Sequence, residues 1–249
     1  MQTALRPNAQ RAKIAIIMIW ITLGTQIVSS ISDFFQLMLL KAIDNGESYG
    51  IDSLNANDTR QQILGIVTFL MLIASAVTYI QWFRRAYYNL HIMNGNLRFS
   101  EGWASGAWFV PIISLFRPFQ IMSELFQVSK AILSRNLPQW QAKEHSTLLG
   151  IWWALWVINN VWGNISARVT LDASTIEKLI VSTQISMWNV VINIPLAILA
   201  VRIIQEYSGM EGLLATPMAV FQQDEPVSAA PMEEPAAPSI NLEKGPSAE

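Results

Sequence analysis

Residues 61–83 read QQILGIVTFLMLIASAVTYIQWF, 23 residues without a charge between Arg60 and Arg84. A helix needs about 20 apolar residues to cross a hydrocarbon core of about 30 Å. Within that core no water satisfies a charge or a free backbone group. Residues 61–83 meet the requirement, and so do residues 14–32, 146–167 and 179–201, at 19, 22 and 23 residues. Four such windows in 249 residues predict an all-α integral membrane protein with four transmembrane helices, spanning about 14–35, 62–83, 147–167 and 181–203.

Composition agrees. Hydrophobic residues make up 52% and charged residues 14%, against about a quarter charged in soluble domains, and the mean hydropathy is +0.32. The absence of cysteine excludes a disulfide framework and a thiolate metal site. Two histidines, His91 and His145, leave little for a histidine-built centre, and no cofactor is expected. A net charge of −2 advertises no basic face for nucleic acid.

A fifth uncharged window, residues 102–116, contains Pro111 and would reach only roughly 22 Å as a helix. Proline removes a backbone donor and breaks a helix interior, so this stretch is expected to be re-entrant or interfacial rather than spanning. After it, Pro118 suits the first turn of a new helix. Over 117–134 Gln120, Ser123, Gln127, Lys130 and Ser134 fall on one stripe, while Ile121, Met122, Leu125, Phe126, Val128, Ile132 and Leu133 cover the rest. The pattern predicts an amphipathic helix, most simply lying in the membrane surface, with packing against the spans as the alternative. The element as a whole covers 102–134.

Loop charges set the orientation. The arm 1–13 carries Arg6, Arg11 and Lys13, and 84–145 carries Arg84, Arg85, Arg98, Arg117, Lys130, Arg135 and Lys143. The two opposite loops carry only Lys41, Arg60, Arg168 and Lys178. Ten basic residues against four place both termini in the cytoplasm under the positive-inside bias. The apolar stretch after Lys13 is long for a signal peptide and lacks an Ala-x-Ala site, so it reads as an uncleaved first span of a multi-pass protein. The membrane domain is expected over 14–207. From 208 to 249, six prolines among Ala, Glu and Ser predict a disordered acidic cytoplasmic tail.

Trp82-Phe83-Arg84-Arg85-Ala86-x-x-Asn89, then Gly102-Trp103-Ala104, Trp108-Phe109-Val110-Pro111-Ile112, Arg117-Pro118 and Met122-x-Glu124 form a motif block. It resembles an uncharacterised bacterial family, domain of unknown function 4328, over roughly residues 60–205. The resemblance implies a multi-span protein of the bacterial inner membrane and carries no activity. The long 33–60 loop and the acidic tail lie outside it.

Two sets of candidate residues follow. Arg84, Arg85, Asn89, Trp103, Trp108, Arg117 and Glu124 are candidates for binding a lipid or partner, since guanidinium groups beside aromatics at a headgroup boundary suit an anionic phosphate. Plain anchoring and topology is the blander reading of the same arginines. Gln26, Ser30, Asp33, Asn160, Asn164, Asn189 and Asn193 are candidates for a polar interior, because polar stripes in spans face the bundle. They would line a solute or ion path, or simply bond helix to helix. No nucleophile, phosphate-loop or zinc motif appears, so an enzyme is not expected. The expected function is a non-enzymatic membrane component that binds an anionic lipid or a protein partner, a second copy included, through its cytoplasmic face. The alternative is a small-solute or ion transporter.

Overall fold

The computed structural model describes residues 5–137, 140 and 145–215. Among them every regular element is helical: α1 (Ala9–Asp44), α2 (Ile51–Met93), the one-turn α3 (Trp103–Gly106), a 3-10 turn (Ile113–Leu115), α4 (Arg117–Asn136), α5 (Ser146–Leu171) and α6 (Ile176–Leu214). α1, α2 and α6 are long and apolar enough to cross a membrane. α5 has 26 residues but is not among these three, because asparagines and four tryptophans dilute its aliphatic content. All four long helices extend past the apolar windows, since nothing in the flanking polar residues stops them. Gly46, at φ 90°, turns the chain out of α1, where a side chain would be strained. α6 runs through Pro195 without a break.

The long helices stand in an open row, α2–α1–α6–α5, with α1 packed along both α2 and α6 and α6 along α5. Over much of their length they are loosely buried. Phe35, Ile63, Phe69 and Leu70 are each more than half exposed, an apolar belt that a water-facing surface does not tolerate. A tight core forms only at the end bearing both termini. There Trp82, Phe83, Tyr87 and Leu90 of α2 meet Ile121, Met122 and Leu125 of α4 and Ile203, Ile204 and Tyr207 of α6, all fully buried.

Two expectations are corrected. α4 turns its apolar residues against α2, α5 and α6 rather than into a membrane surface, because the overrunning helix ends supply a protein face to cover. The tail does not start at 208: α6 continues to Leu214 with Met210, Glu211 and Leu214 buried, and 216–249 lie outside the described residues. The arm 1–13 is also partly helical, since α1 begins at Ala9.

The segment 102–116 is a single helical turn, bends and a 3-10 turn. It inserts Trp108 between α2 and α5, with ring centroids 5.7 Å from Tyr79, 6.2 Å from Phe83, 6.2 Å from Trp153 and 5.6 Å from Trp156. Edge-to-face geometry of this kind adds to the burial energy. Trp108→Ala should therefore destabilise the fold by about 3 kcal/mol or more. Ile112→Ala, at a side chain 76% exposed, should stay within about 0.5 kcal/mol. Thermal unfolding in detergent checks the contrast, and equal midpoints would remove the wedge role.

Candidate functional site

At the termini-bearing end three segments distant in sequence converge on one carboxylate. Glu211 accepts from Asn89 Nδ2 at Oε1 (2.7 Å) and from Asn8 Nδ2 at Oε2 (2.9 Å). Asn89 also donates to the Arg6 carbonyl (2.9 Å) and accepts from the Arg6 amide (3.0 Å). Asn8, Asn89 and Glu211 are 4%, 1% and 7% exposed, so water contributes little. Burial pushes the Glu211 carboxyl above its usual value, while the two amides and the nearby Arg85 charge pull the other way.

Arginines gather on the outer side of this knot. Burial, followed by the like charges of Arg11, Arg6 and Arg84, holds the partly exposed Arg85 below its usual value. Arg6 sits 4.3 Å over the Tyr88 ring, and Arg11 donates to the Gln81 carbonyl at 3.3 Å. Arg84 pairs with Glu101 at 3.4 Å while its side chain stays 59% exposed. Four guanidinium groups thus share one edge with little anionic compensation.

Arg117 belongs to a different place. Its guanidinium stacks over Phe99 (4.5 Å) and Trp103 (5.3 Å), with Nε buried and without a hydrogen-bond partner. Glu124 does not join it. It accepts from the Tyr87 hydroxyl and the Arg98 amide, both at 2.6 Å. Of the first candidate set, then, Arg84 and Arg85 come together on the arginine edge and Asn89 lies behind it. Trp103 packs under Arg117, Glu124 bonds instead to Tyr87 and Arg98, and Trp108 is the wedge.

The second candidate set disperses. Gln26 and Asn193 line one cavity. Ser30 donates to the Met187 carbonyl at 3.3 Å, bonding α1 to α6. Asp33 sits by the side chains of Ser186, Gln61 and Arg60. Asn160 and Asn164 donate to carbonyls four residues back on their own helix, at 2.8 Å each, and Asn189 Oδ1 is buried without a partner. The sequence pattern did not single out Asn8, Glu211 or the nearness of Arg6 to Arg85. Glu211 fell within the expected tail, ahead of the prolines that begin at Pro217. Among the described residues no group of His, Asp and Glu is placed to hold a metal ion.

A family model described as domain of unknown function (DUF4328) matches residues 46–209, which covers α2 to most of α6. The match reaches into the 33–60 loop, beyond the motif block. No curated protein and no solved structure matches the chain.

The knot gives a signed pH effect. A carboxyl raised in the folded state favours folding fully below its ordinary value of 4.5 and loses that contribution as pH rises through the raised value. Glu211→Gln cannot ionise and keeps an acceptor, and the unpartnered Asn8 Oδ1 is there to accept from its amide. Unfolding midpoints measured across pH should show Glu211→Gln gaining on the parent as pH rises. A difference that does not change with pH would show that Glu211 titrates as an ordinary surface acid.

Proposed function

The chain belongs to the DUF4328 family, and from that premise we propose that it is a non-enzymatic, four-span inner-membrane protein that holds an anionic lipid headgroup at its cytoplasmic face. The observation that carries this is the convergence of Arg6, Arg11, Arg84 and Arg85 on one edge of the termini-bearing end, with Glu101 the one ion-pair partner of the four among the described residues. Guanidinium groups grip phosphate oxygens in pairs and desolvate more readily than ammonium groups. Their position just past the apolar windows of α1 and α2 is where phosphates lie.

In this reading α5 is the fourth span. Its 26 residues give about 39 Å of helix, residues 146–167 carry no charge, and it packs along α6. The segment 102–116 then sits at the cytoplasmic boundary, with Trp108 dipping between α2 and α5. Support for solute transport is thinner, because Asn160 and Asn164 spend their amides on their own helix and Asp33 stands apart from Asn193.

Orientation is open to single-cysteine labelling in this cysteine-free chain. Cysteines at Asn55 and Ser174 should react with an impermeant reagent from outside intact cells, and one at Ser134 should not. Outside labelling at Ser134 would reverse the arrangement.

The headgroup site predicts that phosphatidylglycerol survives purification in preference to phosphatidylcholine, as read by native mass spectrometry. Arg85→Lys keeps the charge and loses the planar fork, so retention should fall several-fold. Arg11→Gln combined with Arg84→Gln should abolish the preference. Arg117→Lys, outside the edge, should lower the unfolding midpoint and leave lipid retention alone. Equal retention across the Arg84, Arg85 and Arg11 variants would leave these residues as anchors only.

A further inference from the structure

α6 delivers the chain to the arginine edge. Glu211 bonds to Asn8 and Asn89, and the helix ends at Leu214, about 5 Å further along its axis at 1.5 Å per residue. Asn89 in turn holds the backbone of Arg6, and Arg85 lies about one turn before Asn89 on α2. The chain therefore leaves α6 beside the knot that carries Arg6 and Arg85.

The edge is short of acids. Among the described residues Glu101 pairs with Arg84 and Glu211 stands near Arg85, so at least two of the four guanidinium charges are unmatched. Arg6 lies over the Tyr88 ring and Arg11 reaches a backbone carbonyl, and neither contact supplies a negative charge. Arg85 also feels the like charges of Arg11, Arg6 and Arg84, a repulsion that an added acid relieves.

Residues 216–249 carry what the edge lacks. They contain Asp224, Glu225, Glu233, Glu234, Glu243 and Glu249 against Lys244 alone, a surplus of five negative charges. Four of these acids come as adjacent pairs, and the first pair begins ten residues after Leu214. Ten residues reach up to about 35 Å when extended, against about 11 Å for two helical turns. Tethering raises the effective concentration into the millimolar range, so contacts too weak for a free peptide become populated. The other cationic place at this end, the cavity beside α4, offers only Arg98 and Lys130 and already contains Glu124.

We propose that the arginine edge is the docking surface for the chain's own acidic segment 216–249, whose acidic pairs meet Arg6, Arg11, Arg84 and Arg85. Docking itself needs no anionic lipid. Its consequence rests on the headgroup reading above: segment and headgroup exclude each other from the same guanidinium groups. The segment is then a tethered competitor, and the edge takes up lipid only where anionic phosphate is dense enough to displace it.

The test uses the full chain, which has no cysteine of its own. Spin labels go on Gln10→Cys, exposed beside Arg11, and on Ser228→Cys, between the acidic pairs. In phosphatidylcholine nanodiscs at low salt, electron–electron distance measurement should show a short-distance population. Combining Asp224→Asn, Glu225→Gln, Glu233→Gln and Glu234→Gln should reduce it several-fold. So should about 1 M salt, where the Debye length falls to about 3 Å. Arg11→Gln with Arg84→Gln should release the segment, whereas Arg98→Gln with Lys130→Gln should not. A distribution that ignores the acid and salt changes, or that responds at Arg98 and Lys130 instead, overturns docking at this edge. No anionic lipid enters that comparison, so its failure is separate from failure of the headgroup reading, which lipid retention reads. Phosphatidylglycerol in place of phosphatidylcholine should then empty the short-distance population. Persistence there overturns the competition and leaves the docking surface standing.

Discussion

The carboxylate of Glu211 ties residues 203 and 122 positions away into one end of the molecule, through Asn8 and Asn89. An acid buried in this way is costly unless every lone pair is used and a cation stands near. Two amides and the nearby Arg85 offset part of that cost, and burial still holds the carboxyl above its usual value. The consequence is geometric. The start of α1, the end of α2 and the end of α6 are held at one point, which fixes α1 between its two neighbours and fixes the order α2–α1–α6. α5 is held to α6 by polar contacts of its own: His145 at its start meets Glu206 at 2.9 Å, Trp162 donates to the Ile185 carbonyl at 3.3 Å, and Thr170 meets Ser182 at 2.8 Å. It also joins through apolar packing on α6 and through the tryptophan stack, Trp153 on Trp156 at 4.6 Å, against which Trp108 is set. α2 and α5 meet through Tyr79, Trp152 and the Trp108 wedge rather than along their lengths, and the row stays open there.

Two kinds of stabilisation act along the helices. At the termini-bearing end the core is packed as in a water-soluble domain, with Trp82, Phe83 and Tyr207 fully enclosed. That packing gains its free energy from removing apolar surface from water. Further along, where side chains such as Phe69 stand 61% exposed, helix association has no such drive because lipid is as apolar as leucine. Interhelical hydrogen bonds do more of the holding there. Thr22 donates to the Met71 carbonyl at 3.0 Å, Ser29 meets Thr68 at 2.9 Å, and Gln36 donates to Thr183 at 3.1 Å. Together they run up α1 toward both neighbours.

What the sequence disclosed follows from how steep each energy is. An uncharged run of 19 to 23 residues stands out because a single charge at bilayer depth is costly, so the windows are read without knowing the fold. The helix ends are harder, since polar residues past a window are free to continue a helix or to leave it. Ser208 onward looked like tail by its prolines, yet Met210, Glu211 and Leu214 remain on the buried side of α6. Trp108 and Asn89 were visible as parts of a motif block, but their roles depend on partners at Trp156 and Glu211, which no local spacing encodes. The polar stripes were legible as stripes. Which atoms would be left unpaired, Asn159 Oδ1 among them, depends on packing that no stripe encodes.

α4 shows why periodicity alone does not choose a surface. A helix with Gln120, Ser123 and Gln127 on one side and Ile121, Met122 and Leu125 on the other satisfies a headgroup boundary and a protein groove equally well. The deciding quantity is whether an apolar groove exists within reach of its start. The overrun of α2 and α6 past the apolar windows creates one, walled by Tyr87, Leu90, Ile203 and Tyr207. Arg117 and Glu124 then fix how α4 enters it, one stacked on Phe99 and the other receiving the Tyr87 hydroxyl. With its apolar face spent on the protein, α4 has none left to lie in a bilayer. Its polar stripe instead lines an open cavity of about 530 Å³ beside the start of α5, shared by Arg98, Lys130 and Ser146. The face that α4 offers outward is therefore hydrophilic.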